Sequence, residues 1–212
     1  RDDRLRAFGY GYLAHLAADV VAHNHFVPHQ LAISSTPSGA GHAYWEARFE
    51  AELGMHWSRR AREVILLDHN RADEHLDRIL SPTIFSTPTN RRIFRGMVHA
   101  ADLGPYQRML SLMASNSRWP LREAAVTAHV ERAFDHVVDL LVAGDAAVAR
   151  RADPSGEEAL REAKLIRRGA LERGGERAAR KDAAERFALP TQDSPFASKL
   201  PQPLYEPIRT PA

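Results

Sequence analysis

Between residues 4 and 23, Leu5, Phe8, Tyr12 and Leu16 recur at three- and four-residue steps, with His15 and Asp19 in the same register. That period predicts an amphipathic helix. Pro28 disfavours helical continuation, and residues 34–41, rich in Ser, Gly and Pro, read as a loop. The pattern resumes over about 42–67, with a break or bend near Gly54, and again briefly over 72–80 before Ser81 and Pro82. Residues 86–90 form a second loop by composition. Further helices are predicted over 91–103, 105–115 and 120–151, the last with Pro120 suited to its first turn. Past 153–156 the character changes. Residues 157–187 are Arg, Glu and Ala with few large apolar side chains, interrupted at Gly169, Gly174 and Gly175, which predicts a solvated helix packing on a neighbour. From residue 189 prolines recur at 190, 195, 201, 203, 207 and 211, so that segment is either an extended strap or a disordered tail. No alternation of strand type and no internal repeat is present. The expectation is an all-α multi-helix bundle with three parts: a helical core over 1–152, a charged helical extension over 153–188 and a Pro-rich extended tail over 189–212.

Composition sharpens this picture by exclusion. At 212 residues and 44% hydrophobic, the chain can bury one core. The 29 basic and 27 acidic residues leave a formal charge of +2, which gives no support to nucleic acid as a partner. No apolar run approaches the roughly 18 residues that argue for a membrane span. The absence of cysteine removes disulfides, thiolate metal sites and a cysteine nucleophile. The compartment stays open between secreted, periplasmic and cytoplasmic. The chain starts Arg1-Asp2-Asp3 with no signal-peptide pattern, so the expectation is either a removed leader or a piece of a longer protein. The 11 histidines are the anomaly, and their spacing carries the chemistry.

His15 and Asp19 are four apart and project from one helical face about a turn apart. Their flanks are strongly apolar, where an unpaired carboxylate is costly and a bound metal relieves the cost. His25 follows six residues beyond Asp19, and His42 and Glu46 repeat the four-residue His–carboxylate spacing. Two helices that each present a His and a carboxylate can build a metal site inside a bundle. Imidazole and carboxylate without thiolate suit zinc in a catalytic site. Against this, four-spaced pairs are common on helices: His15 alone reads as a core histidine, and Glu46 as a surface acid pairing with Arg48, Arg59 or Arg60.

The order His-x3-Asp-x5-His followed by His-x3-Glu resembles the ligand series of bacterial zinc-dependent phospholipases C and of the single-strand nucleases in the same all-helical superfamily. The run from Gly11 to Phe26 (GYLAHLAADVVAHNHF) is similar to proteins of the zinc-dependent phospholipase C family. The likeness is strong over roughly residues 5–50. It implies a zinc held by His25, His42 and Glu46 with a fourth position for water, and a second site using His15 and Asp19, with two or three zinc ions in all. It implies metal-assisted hydrolysis of a phosphodiester, a phospholipid above all. His23 stands where the family often has proline, and is left as a spare ligand or a loop residue. The family also uses an Asp and a His upstream of the first motif. Only 14 residues precede His15 here, none of them His, and Asp2 and Asp3 lie too near in sequence to replace them. The general base is therefore not assigned.

Other candidates read more plainly. His69 and Asp73, beside Asp68 and His75, are either further metal ligands or residues of an exposed helix, and the second reading is favoured. His99 and Asp102 form an ordinary three-spaced pair. His129 and His136 share a helical face and suit core or interface packing. Tyr44, Trp45, Phe49 and Trp57 suit a core before a substrate mouth. The competing function is a non-catalytic structural or interaction protein that keeps the bundle with a partial metal site and forms a homo-oligomer through its C-terminal extension.

Overall fold

In the computed structural model the described residues are 2–34, 40–54, 57, 60, 63, 64, 117, 119–191 and 194–201, and they contain helices and turns but no strand. Helix α1 spans Asp3–Val21, followed without a break by a π-helical turn, Ala22–Phe26, and by α2, Val27–Ile33. Helix α3 is Ala40–Leu53, α4 is Glu123–Ala143, α5 is Glu157–Arg173 and α6 is Glu176–Arg186.

Helix α1 starts because Asp2 caps it: its Oδ1 accepts from the backbone N–H of Arg4 at 3.0 Å and of Leu5 at 3.3 Å. Such a cap is worth about 1 kcal/mol. The helix does not end before Pro28. A proline in a regular α-helix collides with the carbonyl four residues earlier and lacks the N–H that would bond to it. Here the widened turn just before it absorbs the conflict. The N–H of Val27 reaches back five residues to the carbonyl of Ala22, and Pro28 then falls in the first turn of α2.

Three apolar clusters hold the helices together. Ala17 and Val20 of α1 pack on Leu140 of α4, on Ala149 in the second of two 3₁₀ turns that follow it, Gly144–Ala146 and Val148–Arg151, and on Ala147 between them. Phe26, Val27 and the fully buried Trp45 form a second cluster with Phe49, Trp119, Leu121 and Leu160. Trp45 donates its indole N–H to Ser34 Oγ at 3.0 Å, so its one polar atom is satisfied in the core.

The charged segment folds onto the same body. In α5, Ala159, Ala163, Ile166 and Ala170 fall on one face, and Ala179 and Ala183 of α6 continue it. These small side chains let α5 and α6 close on Ala32 and Ile33 of α2, with Phe187 filling the remaining gap. Their Arg and Glu residues face outward in four-spaced pairs such as Arg161–Glu157 and Arg180–Glu176. The alanine face is thus used within the chain, and nothing in the described residues supports its use between subunits.

Residues 194–201 lie against α4. The Asp135 carboxylate, 4% exposed, accepts from the backbone N–H of Phe196 at 3.0 Å and of Ala197 at 2.9 Å. Arg132 donates to the carbonyl of Pro190 at 2.9 Å. Pro190, Phe196 and Ala197 are thus tied to α4; residues 192, 193 and 202–212 lie outside the described residues. Helix α3 closes at Gly54, whose φ of +100° suits glycine. Helix α4 begins at Glu123, three residues after the expected Pro120, because Arg122 is extended and its carbonyl starts the first turn. No helix among the described residues is long and apolar enough to cross a membrane.

Candidate metal site

The π-helical turn carries His23 to α3. Among the described residues, one group of three His or carboxylate side chains brings its donor atoms within 4.8 Å of one another: His23, His42 and Glu46. His42 and Glu46 meet because they sit one turn apart on α3, with His42 Nε2 3.0 Å from Glu46 Oε1. His23 comes from the other wall, its Nε2 3.3 Å from the same oxygen. The two imidazole rings stand edge to face, centroids 5.0 Å apart. Exposure runs from 16% at the His23 side chain through 34% at His42 to 50% at Glu46, so the site opens towards solvent on the Glu46 side.

The hydrogen-bond pattern shows what belongs between these atoms. His23 Nδ1 donates to the carbonyl of Pro154 at 2.7 Å, since a carbonyl only accepts. A neutral His23 then has a bare lone pair on Nε2 facing a carboxylate oxygen. That arrangement needs a cation, either a proton on Nε2 or a metal ion. Consistently, the Glu46 hydrogen bond is the largest influence holding His23 above its ordinary pKa, with burial opposing it. His23 in turn holds the Glu46 carboxyl below its usual range. The donor set also fits zinc. Donors about 2.05 Å from one tetrahedral zinc lie about 3.3 Å apart, close to the 3.0 and 3.3 Å seen here. Two imidazoles and one carboxylate match the three-ligand, one-open-position pattern of catalytic zinc.

The other candidates lie outside this group of three. His15 and Asp19 pair at 3.1 Å, one and two turns before His23 on the same stripe of α1, with the His15 side chain 67% exposed. His25 is turned to the opposite side. Burial, the largest influence, lowers its pKa, and it lies near the backbone of Phe187 and Ala188 and near Arg132. Asp2 and Asp3 begin α1 and, at 1.5 Å per residue, stand about 30 Å from His23, which removes them as donors to this site. His69, Asp73 and their neighbours Asp68 and His75 lie outside the described residues, as do His99 and Asp102. The stripe of His15, Asp19 and His23, three residues at four-residue steps, is the sequence signal that marks His23 as a partner of this face.

A cavity of about 330 Å³ adjoins the site. Val21, Phe26, Phe49, Leu53 and Val130 line its apolar wall, and Asp19, Glu46 and Glu50 border it. His129 also faces it, packed edge-on to Phe26 and donating Nδ1–H to the carbonyl of Ala125 at 2.6 Å. Of the aromatics, Trp45 is core, Phe49 borders the cavity, Tyr44 donates to Ser117 Oγ at 2.8 Å, and Trp57 is exposed.

Comparison with known proteins bears on the N-terminal part. No curated protein and no solved structure matches the chain. Residues 1–88 match the family model described as zinc dependent phospholipase C, a stretch that contains His23, His42 and Glu46 but not Pro154. Over residues 1–88, the chain is similar to the zinc-dependent phospholipase C family.

Proposed function

We propose that the chain is a zinc-dependent phosphodiester hydrolase acting on a phospholipid-like substrate, with His23, His42 and Glu46 as the ligands of one zinc. The observation that carries this reading is the convergence of two imidazoles on one carboxylate oxygen with the His23 proton committed elsewhere. Bound zinc supplies Lewis acidity towards a phosphoryl oxygen and lowers the pKa of water.

The chain's own residues do the rest. The carbonyl of Pro154 keeps the His23 proton on Nδ1 and leaves Nε2 free to bind. Helical spacing orients His42 and Glu46 as one unit. The Glu46 carboxylate brings negative charge to the cation, and its exposed side leaves an approach for the phosphate. Val21, Phe26, Phe49 and Leu53 offer an apolar wall beside that approach, which supports a substrate with an apolar arm over a nucleic acid. His15 and Asp19, 3.1 Å apart, are proposed as two donors of a second ion.

Hydrolysis of p-nitrophenyl phosphorylcholine by zinc-loaded protein tests the proposal. Chelation should abolish it, zinc should restore it, and His42→Ala should reduce it more than 100-fold with helicity retained. A rate indifferent to chelator would end this reading. One bound zinc with no hydrolysis would instead support the structural-protein alternative, which the high exposure of His15 favours.

A further inference from the structure

We infer that the turn over 153–156, outside the stretch that matches the family, is a positioning device for His23: it fixes the imidazole as the Nδ1–H tautomer and so aims the Nε2 lone pair at Glu46 and His42. This rests on the proposal that His23 is a metal ligand, but the tautomer is a property of the chain itself.

Three contacts carry the inference. First, Pro154 presents its carbonyl to His23 Nδ1 at 2.7 Å across 131 residues of sequence. Second, Asn24, the residue after His23, ties the same turn down. Its Nδ2 donates to the carbonyl of Asp153 at 2.7 Å and to that of Val20 at 3.0 Å, linking the turn to α1 on both sides of His23. Third, the turn approaches the His23 backbone so closely that only glycine fits. Gly156 has φ +60°, and a Cβ there would collide with the His23 carbonyl oxygen.

The turn is itself held in shape. Asp153 accepts from the backbone N–H of Ser155 at 2.9 Å, from its hydroxyl at 2.6 Å and from the N–H of Glu157 at 3.2 Å. The Ser155 hydroxyl is the main reason the Asp153 carboxyl sits below its usual range. Asp153 thus shapes the start of α5 and the position of the Pro154 carbonyl together. A carbonyl that fixes the proton on the non-ligating nitrogen raises the order and basicity of a metal-binding histidine, and loss of such a partner typically weakens metal binding about 10- to 100-fold. The charged extension therefore does more than cover α2: its leading turn completes the site.

The test reads the tautomer and the metal separately. Two-bond ¹H–¹⁵N correlation spectra of the ¹⁵N-labelled, zinc-free full chain, taken above the pKa of His23, should show His23 as the Nδ1–H form. Asp153→Ala and Gly156→Ala should convert it to a tautomer mixture and weaken zinc binding about 10- to 100-fold, with far-UV helicity unchanged. Asp153→Asn, which keeps acceptor oxygen, should restore affinity to within about threefold. Asp153 is exposed, so its replacement leaves no cavity and carries the test if Gly156→Ala fails to fold. An Nε2–H tautomer in the wild type, or an unchanged tautomer and zinc affinity in Asp153→Ala, overturns the inference. A wild type that binds no zinc but shows the Nδ1–H form sinks the proposed function and leaves the positioning role standing.

Discussion

Acidification should destabilise the fold through His129. His129 lies on α4 between Phe26 and the cavity, and burial pushes its pKa from 6.5 to about 4, against a single backbone hydrogen bond to Ala125. The folded value is the depressed one. Its contribution is therefore complete above pH 6.5 and is lost as pH falls towards 4, because the unfolded chain takes up a proton that the folded chain refuses. At 1.36 kcal/mol per unit the full loss is about 3 kcal/mol, and about 2 kcal/mol is lost between pH 8 and pH 5. Out of a typical total of about 5–15 kcal/mol this is large. His25, His29 and His136 are also held below their ordinary values by burial and steepen the same slope. The assay is urea denaturation of metal-free protein at pH 8, 6.5 and 5, for the wild type and His129→Gln. Glutamine can keep a donor towards Ala125 but does not titrate. The variant should lose about 2 kcal/mol less than the wild type over that range. Parallel pH dependences for the two proteins would refute the burial argument.

Trp45→Ala should cost about 3–5 kcal/mol, measured by the same denaturation, because Trp45 is fully buried and bonded to Ser34; a loss under about 1 kcal/mol would contradict the core described. Asp135→Ala should leave the N–H groups of Phe196 and Ala197 without their acceptor, costing about 1–3 kcal/mol, and should speed proteolysis within 194–200. Cleavage there at the wild-type rate would show that Asp135 does not anchor the strap.

The all-helical class was legible because apolar residues keep a three- and four-residue period in the N-terminal helix, as in Ala17, Val20 and Val21 of α1. His42 and Glu46 were legible for the same reason: four residues of one helix make a fixed geometry that needs no tertiary information. The passage from Asp19 to His25 was not. A proline at 28 reads as a stop, and only a π-turn, which no simple periodicity announces, lets the helix run on to Ile33. That turn also decides which way His23 and His25 point. The partner of His23 Nδ1 lies 131 residues away in a turn that reads as mere punctuation, so no local pattern could reveal it. The extension reads as solvated because its alanines look indifferent, yet they are the residues small enough to let α5 and α6 close on α2.

The central claim is that one zinc is held by His23, His42 and Glu46. Zinc titration of chelator-stripped full-length chain, comparing His23→Ala with His25→Ala, tests it most directly. The account predicts at least a 100-fold weaker affinity for His23→Ala and a nearly unchanged one for His25→Ala. Tight binding that survives loss of His23 and vanishes with loss of His25 would contradict it.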